Sequence, residues 1–365
     1  MPVTDPPGLI ALTIAAISAP NLAAAAAADV RQDRLTKPPG SLGRLEALAT
    51  RIAGITGQTR PRLARRLIVV AAADHGVAAQ GVSAYPPEVT AQMVGNFLAG
   101  GAAINILADH TGARVRIVDA GVVGETPDDP RLVKLRLGPG TRDMTRQPAM
   151  TRALAETAVA EGIALFEAER RDRGVDVVAG GEMGIGNSTS AAAIIAAITD
   201  VPPRAITGRG TGIDDAHFEL KVHAVTQALS LHALDPRDGT GVLAAIGGFE
   251  IGVLAGVYLA AAAARVPVVL DGVISTAAAL IADLLAPASR AFFVAAHRST
   301  EPGHAAALAH LELEPLLDLG MRLGEGSGAA LGISLCVAAC RLLDEMATFD
   351  EAGVSDSNAV VEPEV

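Results

Sequence analysis

Gly181-Glu182-Met183-Gly184-Ile185-Gly186-Asn187-Ser188-Thr189-Ser190 lies between an apolar run at residues 175–179 and an alanine-rich run at residues 191–198. Such a stretch reads as strand, glycine turn, helix, and free backbone N–H groups at a helix start that follows a strand form an anion site. The spacing approaches that of a nucleotide-triphosphatase loop, but Asn187 stands where that loop carries its lysine. A triphosphate hydrolase is disfavoured, because a β/γ-phosphate would lack its cation; backbone amides with the Ser188 or Thr189 hydroxyl still suffice for a monophosphate. A sugar phosphate is the expected ligand. The competing explanation is a tight strand-to-helix turn that uses glycine for geometry alone.

Working outward, short apolar runs recur at residues 67–72, 115–120, 175–179, 266–270 and 292–295, with Pro267 near the start of the fourth, where a missing N–H does least harm. Between them lie alanine-rich segments of helical length and period at 88–108, 191–198, 214–234 and 249–264. This alternation predicts an α/β fold: a mostly parallel sheet covered by helices. Ligands of such sheets collect beyond the carboxyl ends of the strands. The residues expected there are Asp74-His75-Gly76, Gly121, the Gly181 loop, Asp271-Gly272, and His297 through His304.

At 365 residues, half of them apolar, the chain is expected to form one large α/β domain with a smaller helical appendage. The expected divisions are 1–60 and 301–348 for the two parts of the helical domain, 61–300 for the large domain, and 349–365 for an acidic, aperiodic, disordered tail. A formal charge of −11 argues against a nucleic-acid partner, which needs a basic footprint. Residues 8–30 are apolar but alanine-rich, broken by Pro20 and Asn21, and without a preceding basic residue, so packed helix is expected in place of an export or membrane segment. Cys336 and Cys340 share a helix face with no His or Cys at ligand spacing, which predicts buried packing, and a reducing cytoplasm is the expected location.

Several side chains are candidates for chemistry. His75 is a possible base, although Asp74 beside it in an extended chain points elsewhere. His297 and His304 bracket a turn and raise the question of a metal, but no further ligand motif completes such a site. Lys221 follows a second glycine loop, Gly208-Arg209-Gly210-Thr211-Gly212, in a helix with Asp214 as the expected N-cap; it is either solvated surface or a cation beside the phosphate. Glu325, in Met321-Arg322-Leu323-Gly324-Glu325-Gly326-Ser327-Gly328, either satisfies a helix N-terminus or acts as a base whose proton affinity is raised by apolar walls from Leu323 and Met321.

Six blocks in one order, Lys37-Pro38-Pro39-Gly40-Ser41-Leu42-Gly43, Ala73-Asp74-His75-Gly76-Val77, Gly181 through Asn187, Gly208 through Gly212, Glu301-Pro302-Gly303-His304 and Arg322-Leu323-Gly324-Glu325-Gly326, resemble the nicotinate-nucleotide:dimethylbenzimidazole phosphoribosyltransferase family over about residues 35–331. The resemblance implies a Rossmann-like large domain, a small helical domain built from both chain ends, and a homodimer. It also implies transfer of ribose 5-phosphate from nicotinate mononucleotide to 5,6-dimethylbenzimidazole, with no cofactor and no metal.

By the same resemblance Glu325 is the catalytic base and Glu182 a second active-site carboxylate. Lys221 and Ser299 contact the ribose phosphate beside Gly184, Gly186, Asn187 and Ser188, Arg322 and Leu323 belong to the substrate site, and Tyr85 and Met93 line the benzimidazole pocket. The pyridinium of nicotinate mononucleotide leaves as a neutral ring and needs no acid, so one base that removes the benzimidazole N–H suffices. Alternatives at this stage are transfer to a different base and a non-catalytic nucleotide sensor.

Overall fold

The computed structural model describes residues 3–210 and 212–355. The chain divides into two compact units, one comprising the chain up to Ser18 with Arg65–Ile333, the other Ala19–Ala64 with the chain from Ser334 onward.

In the first unit six strands form one parallel sheet: β1 (Arg66–Ala73), β2 (Ala113–Gly121), β3 (Leu132–Lys134), β4 (Val177–Met183), β5 (Val268–Leu270) and β6 (Phe293–Ala295). Their order is β3-β2-β1-β4-β5-β6. This is the order of a doubly wound sheet, and it reverses between β1 and β4, the point where ligands of such folds bind. Every expected run overlaps a strand, although β4, β5 and β6 start one or two residues later than the runs at 175, 266 and 292. The short β3 carries one buried residue in three and gave no apolar run to read.

The strand boundary at Ala179 is corrected. β4 continues through Gly180, Gly181, Glu182 and Met183, which pair with Val69, Val70, Ala71 and Ala72 of β1. Glycine inside a strand marks close approach. A Cβ at Gly180 would overlap the Tyr258 hydroxyl, and one at Gly181 would overlap the Glu325 carbonyl. Glu182 is therefore a strand residue, and the turn proper is Gly184-Ile185-Gly186.

Helices cover both faces. Phe249–Ala263 is buried from Phe249 to Ala262 and packs on Arg152–Arg173, whose N-cap Thr151 accepts from the Leu154 N–H. Asn187–Thr199 follows the glycine turn, and Asp215–Leu231 begins at the N-cap Asp214, which accepts from the His217 N–H as expected. The segment 88–108 forms two helices, Glu88–Ala99 and Ala103–Thr111, parted at Gly100 in the left-handed region. Helix Pro6–Ala16, expected with the helical appendage, packs instead on Arg152–Arg173 and Phe249–Ala263.

The second unit is helical. Leu22–Arg34, capped by Asn21, packs on Arg44–Thr56. The loop Lys37 to Gly43 between them is closed by a 2.9 Å ion pair from buried Lys37 to Glu46, which also accepts from the Leu42 N–H. Cys336 and Cys340 are free and buried in helix Ser327–Glu345. The stretch expected to be a disordered tail opens with a helix, Phe349–Ala352, held by a Thr348–Glu351 capping box; residues 356–365 lie outside the described residues.

Candidate active site

Four strand ends supply the site. Asp74 and His75 leave β1, Glu182 sits on the last turn of pleat in β4, Asp271 follows β5, and His297 to His304 follow β6. Beyond β4, Gly186 takes φ +96° to start helix Asn187–Thr199, whose first side chain turns back: the Asn187 amide donates to a Glu182 carboxylate oxygen. Glu182 is buried, and burial pushes its carboxyl up to about 8, with the charges of Asp271, Glu250 and Glu325 adding and the Asn187 hydrogen bond opposing.

Glu325 stands between Gly324 and Gly326, and all three residues have positive φ, at +85°, +63° and +86°. The left-handed conformation costs a non-glycine residue about 1 kcal/mol, so the surroundings must hold it there. Asp271 does so: its carboxylate accepts the Gly326 N–H at 3.1 Å and the Ala329 N–H at 2.9 Å, capping helix Ser327–Glu345 from the end of β5. Gly181 leaves room for the loop backbone, and a Cβ at Gly324 would overlap Glu182 Oε1, so the two glutamates belong to one site.

Burial raises the Glu325 carboxyl above its ordinary range, the Ile104 N–H pulls it back and the Asp271 charge adds to the rise. Glu325 Oε2 is buried with no hydrogen-bond partner among the described residues. The expected walls are not the cause. Leu323 is 56% exposed and Met321 only half-buried; Glu325 instead has its backbone against Gly181 of β4 and its carboxyl at the Ile104 N–H in the first turn of helix Ala103–Thr111.

A second cluster lies across the Gly208–Gly212 loop. Lys221, 1% exposed, donates to Ser188 Oγ at 2.9 Å, which favours the buried-cation reading over solvated surface. Burial pulls its ammonium down to about 8 against the opposing charge of Glu301. Glu301 accepts the Gly210 N–H at 2.9 Å, Arg322 donates to the Gly210 carbonyl at 2.8 Å, and the Thr300 N–H reaches the Met321 carbonyl at 3.2 Å. Ser188, Lys221, Gly210, Glu301 and Arg322 are thus tied together, with Ser299 buried two residues before Glu301. Thr211 of the same loop lies outside the described residues.

His75 pairs with Glu250, not Asp74: Nε2 and Oε1 are 2.7 Å apart with both side chains buried. Asp74 accepts from the Thr90 hydroxyl at 2.6 Å and the Val123 N–H at 2.9 Å, and the Thr90 oxygen accepts the Ile185 N–H. Thr90 therefore joins helix Glu88–Ala99 to the glycine turn. Met93, one turn further along that helix, is half-buried, and Tyr85 ahead of it is 54% exposed. His297 and His304 lie with ring centroids 5.9 Å apart, but both His304 nitrogens are engaged, and no metal-ligating group of three occurs among the described residues. Glu250 was not singled out from sequence, and Asp271 was expected only as a residue beyond the end of a strand, without a role. The available signals were a lone carboxylate opening an otherwise apolar helix and a carboxylate directly after a strand.

A doubly wound parallel sheet with two buried carboxylic groups and a buried cation at its switch point defines an α/β enzyme of small-molecule group transfer. Residues 17–354 match the family described as Phosphoribosyltransferase. Among similar proteins, one of Roseiflexus sp. (strain RS-1) is 60% identical over 347 residues, 95% of this chain and 98% of that one. It is named nicotinate-nucleotide–dimethylbenzimidazole phosphoribosyltransferase. A protein of the same name from Mycobacterium avium (strain 104) is 51% identical over 95% of this chain and 99% of its own length. The crystal structure of CobT from Thermus thermophilus superposes with TM-score 0.88 at 48% identity, covering 91% of this chain and 99% of that one. The chain belongs to the nicotinate-nucleotide–dimethylbenzimidazole phosphoribosyltransferase family.

Proposed function

We propose that the enzyme moves ribose 5-phosphate from nicotinate mononucleotide to 5,6-dimethylbenzimidazole, giving α-ribazole 5'-phosphate and nicotinate with inversion at C1', and that Glu325 is the general base. The observation that carries this reading is the buried, unpartnered Glu325 Oε2 on a loop fixed by Asp271. As one benzimidazole nitrogen bonds to C1', the N–H on the other becomes acidic, and a carboxylate of raised proton affinity takes it at neutral pH. The departing nicotinate carries off the C1'–N bonding pair and loses its positive charge.

Lys221, Ser188, Ser299 and Arg322, with the backbone of Gly184, Gly186 and Asn187, are assigned to the phosphate end, where a fixed grip orients C1' between the incoming and leaving rings. A dianionic phosphate beside Lys221 favours its charged form and offsets the depression that burial imposes. Glu182 is assigned to the developing oxocarbenium charge. Its proton affinity is high without ligand, and a cationic pyridinium or ribosyl cation beside it favours the ionised form. Met93 and Tyr85 are assigned to the acceptor side, Met93 on the helix that Thr90 ties to the glycine turn and Tyr85 just ahead of it.

Incubation with nicotinate mononucleotide and a panel of benzimidazoles and purines tests the reading. Equimolar nicotinate and an α-riboside phosphate of dimethylbenzimidazole are expected. A β-riboside, or release of ribose 5-phosphate in place of a riboside, would overturn it.

A further inference from the structure

His304 is fully buried, and a short chain of hydrogen bonds fixes its tautomer. The Thr276 hydroxyl lies 2.9 Å from the Gly272 carbonyl and 3.0 Å from His304 Nε2. A hydroxyl has one hydrogen and a carbonyl only accepts, so that hydrogen goes to Gly272 and the Thr276 oxygen receives Nε2–H. Nδ1 is then the bare nitrogen, and it accepts the Ser299 N–H at 2.9 Å. Ser299 Oγ in turn accepts the Glu301 N–H at 3.3 Å, which leaves its own hydrogen to be donated elsewhere. Each of these four hydrogen bonds has one donor and one acceptor, and together they run from the exit of β5 at Gly272 to the residues that follow β6.

We propose that His304 is a positioning residue that holds the Ser299 peptide so that the Ser299 hydroxyl is presented as a donor to the phosphate of the nucleotide; this rests on the assignment of Ser299 and Lys221 to that phosphate. The ring works as a neutral acceptor and donor, not as an acid or base. Burial, with His297 and Arg298 adding and Asp271 opposing, holds its proton affinity down to about 3, so it carries no charge at any pH where the fold is expected to work. A protonated Nδ1 would point a hydrogen at the Ser299 N–H and break the chain.

The two amide residues separate the two ring nitrogens: asparagine places its oxygen near the position of Nδ1, glutamine reaches only toward Nε2. In the full-length enzyme His304→Gln should raise the KM for nicotinate mononucleotide about tenfold, with the KM for dimethylbenzimidazole unchanged and His304→Asn recovering most of the affinity, because a hydrogen bond to a charged group is lost in the first and kept in the second. With nicotinate riboside, which lacks the phosphate, the two variants should match the wild type. Equal effects of both variants, or the same loss with the riboside, would overturn the proposal.

A wild-type enzyme that does not prefer the mononucleotide over the riboside would instead refute the phosphate assignment beneath it. ¹⁵N NMR of the native enzyme gives a reading that needs no variant. Nε2–H with unprotonated Nδ1 throughout pH 5 to 8 is expected, and Nδ1–H or a titrating ring would sink the idea.

Discussion

Replacing Glu182 by glutamine should stabilise the protein at neutral and alkaline pH while slowing it. The unfolded carboxyl has its ordinary value near 4.5, and in the fold it is raised to about 8. For an acid whose folded value is raised, stability is complete below the unfolded value and is lost as pH rises from there through the folded value. At pH 7 the unfolded side chain is ionised and the folded one is protonated, which costs about 2.5 units at 1.36 kcal/mol each, or roughly 3 kcal/mol. Because Asp271, Glu250 and Glu325 share the repulsion, part of this stays with them after the change, and about 1–3 kcal/mol is the expected gain.

The glutamine oxygen still accepts from Asn187, so that amide keeps its partner. Differential scanning calorimetry from pH 5 to 8.5 should give a Tm difference between Glu182→Gln and wild type that is near zero at pH 5 and grows to about 1–4 °C by pH 8. A difference that is flat with pH, or largest at the acid end, would refute the placement of a protonated carboxyl at this strand end. Turnover should fall together with the gain in stability, because glutamine cannot supply the negative charge that the carboxyl takes on beside a cationic substrate.

Other changes act on separate parts of the site. Lys221→Ala should raise the mononucleotide KM about tenfold or more, with little change for the acceptor, measured by steady-state kinetics. Asp271→Ala removes the acceptor of the Gly326 and Ala329 N–H groups and should cost about 1–2 kcal/mol of stability in urea titration, with a drop in kcat because the Glu325 loop is released. kcat should rise with pH through a value above the ordinary carboxylate range, since the Glu325 base must be ionised and burial raises its proton affinity; a profile already flat by pH 4.5 would contradict this.

The sheet was legible because both faces of a parallel strand are buried, so residues 67–72 and 115–120 read as apolar runs, whereas β3 lies at the edge and leaves no such trace. The Gly181 stretch misled by one step. Glycine reads as turn, but Gly180 and Gly181 remain in the ladder because the Tyr258 hydroxyl and the Glu325 backbone press against them, a reason that only tertiary contact reveals. The walls of Glu325 failed for a similar cause: Leu323 is a sequence neighbour, yet three consecutive positive φ values turn it outward. Glu250 and Thr90 were missed, and the hold of Asp271 on the Glu325 loop was not foreseen, because their partners, His75, Ile185 and Gly326, lie dozens of residues away along the chain.

The central claim concerns the proton on the incoming base. Glu325→Gln keeps the shape of the loop and removes the acceptor, so turnover of nicotinate mononucleotide with dimethylbenzimidazole, measured beside the affinity for the mononucleotide, tests it directly. The account predicts a fall in kcat of about a hundred- to ten-thousandfold with mononucleotide binding changed by less than about threefold. A variant that turns over within about tenfold of the wild type would contradict it.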